Sequence, residues 1–577
     1  MRRRTAAAVA AALGTVLVAL GPMPARAVEA PSSTAVRRLP RVTFVAAPGS
    51  SLLVHGTYPR RRSPCVHPVR PVLHARYPGT IEVGKDGTGH LFVIGVMPFE
   101  QYVDGLGEVP PTWPMPALEA QAIAARSYAL ANLAYPDPTG RALGYQLCAT
   151  DACQVYTGLG VSAGPNGARW VQAVSATSHQ ALLWNGRPAD TVYFSTSNGH
   201  TYSNAAVFGS APLPYLKPVR EADDGASPLS HWRTSVTLDD VARFLRAAGA
   251  WSAARVSSVS GGGARVVVRG RGTSAVFDTA SFAADLNAWA SCLAPDRYPT
   301  ANAWPGRHTL GTALPQTVPS KWFSAVTKGR RAVLTGRGWG HGVGMVQWGA
   351  EGKAARGMTT AQILSFYYGG LKPATVREPP TIRIGIATGL SSVRIQGLGT
   401  VSVHGADPGA GPWLVTGGRF LRVRHGAAPA PLLDPGTVDA PASAPTGGRI
   451  SVTVHAPQAE IVQLRWRPAG SASGAEVALG PARTLTAGTH AVAVALPAAA
   501  AGTGSIQAVV TDGVDTVRTS SHPLRVEGVS AASPAPSGSG SGTMAAAAAI
   551  VVGGSVVAVI AVAAFVTFAR RRRRRGD

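Results

Sequence analysis

Glu108 stands in a glycine- and proline-rich turn, GLGEVPPTWP over residues 105–114, that runs straight into a stretch of strong helix formers carrying Arg126 and Tyr128. A carboxyl held on such a turn, just ahead of a helix, is placed to give and take a proton at a substrate atom. Asp104, one helical turn earlier, offers a second carboxyl, and two acids flanking one bond would serve a hydrolase. The plainer alternatives are an exposed turn acid at Glu108 and a solvated helix face at Asp104. The elements that must hold Glu108 are legible. LFVIGVMPFEQYV reads as a strand entering a short helical turn, and Pro110, Pro111, Pro114 and Pro116 fix the chain until the helix is under way. In that helix Leu118, Gln121, Ala122, Ala125 and Ala129 share a stripe. Arg126 on so small-residued a helix needs a nearby carboxylate if it is buried.

Further candidates lie downstream. STSNGHT, residues 195–201, is a polar loop beyond a strand end and holds Ser197 and His200. No G-x-S-x-G elbow surrounds its serines, so a serine hydrolase is excluded. PYLKPV offers Tyr215 and Lys217, either at a cleft or as an ordinary strand with a snorkelling lysine. GWGHGVGM, residues 338–345, has the glycines of a phosphate loop but lacks its Gly-Lys-Ser/Thr ending. Its glycines instead let His341, and Gln347 and Trp348 on the following helix, come close to a cleft. His341 then either holds a substrate group or is a satisfied structural histidine, and Trp348 either stacks on a substrate ring or packs the core.

Composition frames these residues in an exported chain. Residues 1–27 show Arg2 to Arg4, an apolar stretch and the A-x-A site Ala25-Arg26-Ala27, a signal peptide. Residues 544–569 carry no charge and are followed at once by Arg570 to Arg575, which predicts a transmembrane helix with a cytoplasmic tail over 570–577. The protein is thus expected in the cell membrane as a single-pass chain with its ectodomain outside. Of the formal charge of +25, four arginines lie in the leader and six arginines less Asp577 in the tail, which leaves +16 outside. A basic ectodomain suits anionic wall polymers and the cytoplasmic membrane surface; export and the lack of a basic-aromatic recognition motif argue against nucleic acid. Four cysteines, Cys65, Cys148, Cys153 and Cys292, are an even set, and an oxidising compartment favours two disulfides. No cofactor motif is found.

The residues around Glu108 resemble the signature of the stage II sporulation protein D (SpoIID) family, in which an E-M-P-like turn precedes an A-x-x-A-Q-A-x-A-A-R-[ST]-Y-A-L helix. Here the turn is Glu108-Val109-Pro110. The resemblance continues in TDACQVYTG (150–158), AVSATSHQALLWNGRPADTVYFSTSNGHTYSNAAVFG (173–209), PYLKPV (214–219) and GRGWGHGVGMVQWGAEGKAARGMTTAQILSFYYGG (336–370), blocks in order over about 270 residues. It implies a lytic transglycosylase of peptidoglycan glycan strands with Glu108 as catalytic acid, Arg126 beside it in a role toward substrate or backbone, and substrate contacts from Tyr128, Ser197, His200, Tyr215, Lys217, His341 and Gln347. It equally implies a noncatalytic enhancer of a cell-wall amidase. The framing of TDACQVY by two cysteines implies a local pair Cys148–Cys153, hence Cys65 with Cys292. Zinc at Cys148 and Cys153, as in some relatives, is the competing reading, disfavoured because no histidine lies within ten residues.

The expected fold class is α+β: a SpoIID-like catalytic domain with mostly antiparallel strands over 28–375, a small β module over 376–430, an Ig- or fibronectin-like sandwich over 445–527, and a flexible linker over 528–543 leading to the membrane helix. Within the first of these, Asn185-Gly186 between two apolar runs predicts a tight hairpin, and Thr237 predicts a helix cap.

Overall fold

The computed structural model describes residues 41–59, 73–294, 296–298, 314–471, 475–497, 500 and 502–527. The leader over 1–27, the linker, membrane-helix and tail segments over 528–577, and Cys65 lie outside the described residues. Among those described, no helix is long and apolar enough to cross a membrane.

The chain is a mixed α/β structure with three large hydrophobic cores. The first is covered by two sheets. One runs, in spatial order, Val401–His404, Arg41–Ala46, Thr80–Lys85, Leu91–Pro98, Thr381–Leu390, Leu147–Cys148; the other runs Arg422–His425, Trp413–Thr416, Ser392–Leu398, Ser51–Thr57, Leu73–Tyr77. Pairing is antiparallel except where Leu147–Cys148 joins Thr381–Leu390 in parallel. Alternation dictates which side faces in: Val42, Phe44 and Ala46 of the first strand are buried and their neighbours are not.

This arrangement corrects the boundary read at 375. Strands on both sides of it interleave in both sheets, and Ile382, Ile384, Val393 and Ile395 sit in one core with Val42, Val54 and Leu118. Residues 376–425 are therefore no separate module. Their sequence carries the period-2 pattern of any strand, which says nothing about its partner.

The second core belongs to an insertion within the first. The sheet Trp232–Thr237, Arg331–Gly336, Phe323–Lys328, Ser258–Gly262, Arg265–Gly270, Thr273–Asp278 is covered by helices Leu238–Ala247 and Thr279–Leu293. Thr237 caps the first of these, accepting the Asp240 N–H at 3.1 Å. The third core, from Leu433 to Val526, lies between the sheet Thr437–Asp439, Arg449–Ala456, Gly488–Ala495 and a larger sheet built on Glu460–Pro468, Gly502–Thr511 and His522–Glu527.

Candidate active site

The acid's turn is built by two segments that share no sequence neighbourhood. Helix Phe99–Asp104 ends at Gly105, where a Cβ would come within 2.3 Å of the Tyr156 ring. The turn is then laced to residues 155–157: Gly107 N–H donates to Val155 O at 2.9 Å and Thr157 N–H to Gly105 O at 2.8 Å. The 18-residue helix Met115–Asn132 follows, with Pro114 at its cap and Pro116 in its first turn. It is buried nearly all round, since residues 120–127 are all buried, rather than along one stripe.

Glu108 itself is half-buried. Its Oε1 accepts the Val155 N–H at 2.7 Å and the Tyr193 hydroxyl at 3.0 Å. Loss of hydration raises its pKa above the ordinary carboxylate value, opposed by the Val155 and Tyr193 hydrogen bonds and by Gln347, and reinforced by Asp151. Both fixed hydrogen bonds fall on Oε1, which leaves Oε2 to carry the proton.

Tyr193 is held in turn. Gln154, fully buried, donates to Tyr193 Oη at 2.9 Å and to Ala125 O at 3.1 Å, and accepts the Tyr102 hydroxyl at 2.7 Å. Neither Gln154 nor Tyr193 stands out by type or spacing, though they lie in TDACQVYTG (150–158) and in the block over 173–209. The signal was Gln154 standing beside Cys153 in TDACQVY. Cys148 and Cys153 are disulfide-bonded, so they offer no thiolates to zinc, and Cys292 is disulfide-bonded as well.

Gln347 belongs to this site. It is buried, and its Nε2 lies 3.4 Å from both Glu108 O and Gln121 Oε1. Trp348, next in the chain, packs edge-on against Trp113 with ring centroids 4.9 Å apart. Tyr128 lies within the electrostatic reach of Glu108 and Asp190, and with burial these push its hydroxyl to about 12.

His341 acts through Tyr193. Its Nδ1 accepts the Val343 N–H at 3.1 Å, so Nε2 carries the proton and donates to Tyr193 O at 2.9 Å. Burial lowers its pKa to about 4. With both nitrogens engaged by backbone and the ring packed on Phe194 and Phe208, His341 is a satisfied structural residue that fixes the strand bearing Tyr193. The glycines around it serve the same contact. Gly338 and Gly344 have φ of 79° and 77°, and a Cβ would meet Thr196 O at 2.7 Å and Val192 O at 2.0 Å.

Arg126 is not brought to Glu108. Its guanidinium, fully buried, pairs with Glu100 at 3.0 Å and Glu378 at 2.8 Å, and reaches Gln180 O and Val174 O at 3.4 Å. The carboxylate partner its burial demanded is thus supplied twice, and of the expected roles, toward substrate or backbone, its contacts to Gln180 O and Val174 O are of the backbone kind. Asp104 falls in with this group: burial and Glu100 raise it to about 6, while Arg126 opposes the shift. His179 lies 3.0 Å from Glu378. Glu100, Glu378 and His179 cluster closely enough to share a metal ion, but Arg126 already occupies the carboxylates.

The remaining candidates disperse. Ser197 is buried, with its N–H on Asp224 at 2.7 Å and its Oγ accepting the Gly199 N–H, so it shapes a loop. His200 is exposed and packs on Tyr202. Tyr215 is buried, its hydroxyl accepting the Asp190 N–H at 3.0 Å, whereas Lys217 is exposed. The hairpin is as expected: Asn185 and Gly186 both have positive φ, and Trp184 pairs with Arg187. Unforeseen was a buried knot in which Lys353 bridges Glu221 and Asp223 at 2.9 and 2.8 Å, locking residues 221–223 against the helix Gln347–Ala355.

Comparison with known proteins agrees with this architecture. Residues 88–184, which contain Glu108, Arg126, Gln154 and the disulfide, match the model of the SpoIID family of stage II sporulation proteins. A protein of Brachyspira hyodysenteriae is 29% identical over 285 residues, covering 49% of this chain and 68% of its own. The stage II sporulation protein D of Bacillus subtilis is 29% identical over 287 residues, covering 48% and 74%. The amidase enhancer of the same organism is 26% identical over 292 residues, covering 46% of this chain and 38% of that protein. Through the residues built around Glu108, the chain carries a SpoIID-family domain.

Proposed function

We propose that this protein is a lytic transglycosylase that cleaves the MurNAc–GlcNAc bond of peptidoglycan glycan strands and leaves 1,6-anhydroMurNAc ends. The observation that carries the reading is the environment of Glu108: a carboxyl biased toward its protonated form and hydrogen-bonded by neutral donors, with no cationic partner among its described contacts. Such a group can hold its proton until a leaving oxygen takes it. In the first step Glu108 Oε2–H protonates the glycosidic oxygen and the bond to the anomeric carbon breaks. The muramic 6-hydroxyl of the same sugar then attacks that carbon, and its proton passes to the Glu108 carboxylate. No water is consumed and the acid is regenerated. One acid therefore suffices, in keeping with Asp104 lying in the field of Glu100 and Arg126.

A second reading rests on the similarity to the amidase enhancer: the same site binds glycan and presents it to a cell-wall amidase without cutting. In either reading the catalytic body works in the cell wall, tethered by the apolar stretch 544–569, and the basic surplus favours anionic wall polymers. Mass spectrometry of purified glycan strands, with and without peptide stems, separates the two. Anhydro ends with the wild type and none with Glu108→Gln support the enzyme. Equal acceleration of an added amidase by both forms, with no new ends, replaces it with the enhancer.

A further inference from the structure

The second core lies on one side of its six-stranded sheet. Alternation sends Trp232, Val259, Val268, Phe323 and Leu334 toward the helices Leu238–Ala247 and Thr279–Leu293, so their strand neighbours form the opposite face. On that face Arg233, Arg265, Arg269, Lys328 and Arg331 are all exposed. The strand register arranges them. Val333 stands across from Val326 and Val267 across from Val276, which gives the face an apolar middle. Arg233 and Arg265 lie to one side of it, and Arg331, Lys328 and Arg269 to the other.

The charge on this face is unbalanced, and that has a cost. Lys328 and Arg331 are directly opposite one another, a like-charge pair that weakens a sheet unless an anion lies against it. Among the described residues none of the five cations meets a carboxylate; Arg331 donates to Ser235 and Arg269 to Ser260. Asp278, on the same face, stands across from Arg265 but is already engaged. Its Oδ1 accepts the Ser281 N–H at 2.8 Å and its Oδ2 the Ser281 hydroxyl at 2.6 Å. Asp239, Asp240 and Asp285 belong to the covering helices. A surface that only meets water intersperses both signs, whereas here the cations crowd the open face and the acids sit among the helices.

We propose that this open sheet face binds a linear phosphodiester polymer of the cell wall, laid across the strands. With strands about 4.8 Å apart and about 3.4 Å per residue, the cations form two tracks about 13 Å apart. Arginine forks take phosphate oxygens in pairs, and the exposed hydroxyls of Thr335 and Ser324, standing between Arg233 and Arg265, add hydrogen bonds. A phosphodiester carries its charge in the chain itself, so a flat track can follow it; the carboxylates of peptide stems hang to the side of theirs. A lipid surface fits less well, because a face that seats in a membrane projects Trp, Phe or Leu, and the apolar residues here are valines. Single-stranded nucleic acid wants aromatic rings on which its bases can stack, and valines offer none. The proposal rests on the extracytoplasmic placement above and not on the chemistry of Glu108.

The test titrates the purified full chain with lipid-free poly(glycerol phosphate) in a calorimeter. Binding is expected at low salt and should weaken about tenfold between about 50 and 200 mM salt. Lys328→Gln paired with Arg331→Gln should weaken it about tenfold at low salt, whereas Arg243→Gln paired with Arg246→Gln should stay within about twofold of wild type. The second pair makes the same charge change at exposed positions of a covering helix. All four side chains are exposed, so melting temperatures should match the wild type's. Should the first pair melt low, Arg233→Gln with Arg265→Gln, on the other track, carries the test. No binding at low salt overturns the proposal, and so does an equal loss in the face and helix pairs. Equal affinity for DNA or poly(galacturonic acid) at matched charge, or displacement of the polymer by phosphatidylglycerol bicelles, assigns the face to another partner and overturns it too. No glycan is present in the titration, so its failure leaves the reading of Glu108 standing.

Discussion

Glu108 and Arg126 are 18 residues apart in one motif, yet their surroundings obey opposite rules. Around Glu108 every fixed contact comes from a neutral donor, the Val155 amide and the Tyr193 hydroxyl, and the acid's pKa rises. Around Arg126 the cation is fully buried between two carboxylates and two backbone carbonyls, and every polar atom is engaged with a charge or a dipole. In the first arrangement loss of hydration favours the protonated carboxyl; the second holds helix Met115–Asn132 to the segments carrying Glu100 and Glu378. A charged residue in a family motif is thus no guide to chemistry until its partner is known.

The contrast is broken most directly at the acid. Glu108→Gln should lower formation of anhydro ends by about a hundredfold or more while glycan binding persists. Its melting temperature at neutral pH should equal or exceed the wild type's, because the neutral amide does not share the ionised carboxyl's cost of burial. A variant that loses activity by unfolding would place Glu108 among the structural acids.

Arg126→Met should do the reverse. It strands Glu100 and Glu378 without their cation, and denaturant unfolding should show a loss of about 3–5 kcal/mol. Product identity should be unchanged at temperatures where the protein remains folded. Loss of activity at full stability would return Arg126 to the reaction.

Reduction of Cys148–Cys153 opens a link just ahead of Val155. The loop it closes is short, so chain entropy sets its contribution at about 2 kcal/mol, seen as a lower melting temperature in dithiothreitol. A separate contribution comes from the disulfide at Cys292, so Cys148→Ser paired with Cys153→Ser isolates the local one.

Tyr193→Phe is the smallest and most diagnostic change. It removes a hydrogen bond that favours the ionised form of Glu108, so the folded-state pKa rises further above the ordinary value. In the proposed reaction the protonated acid is the active form, so activity falls as pH climbs through that pKa. The alkaline limb of the pH–rate profile should therefore move to higher pH, with the plateau rate within about tenfold of wild type. An unmoved limb would mean that Tyr193 does not set the acid's proton affinity.

Much of this was legible along the chain, for local reasons. The strand into helix before Glu108, the proline-started helix after it, the Asn185-Gly186 hairpin and the Thr237 cap follow from the backbone preferences of a few adjacent residues. Burial of Arg126 and its need for an acid followed from charge in a small-residue helix. So did the local cysteine pair from two cysteines five apart in a known block.

What only the tertiary structure decided is partnership across long separations. Glu100 and Glu378 flank Arg126 from 26 residues before it and from far beyond it, Gln154 reaches Tyr193 across 39, and strands after residue 375 return to pair with strands before residue 100. A side chain's type states which partners it can accept, and a strand's alternation states which face is apolar. Neither states which of several eligible partners the chain will bring to it, because that choice is made by the closing of the whole core. The sequence alone thus determined that Glu108 sits on a turn before a helix, and the closing of the core around it decided that its loss of hydration favours the proton while Val155 and Tyr193 hold its Oε1.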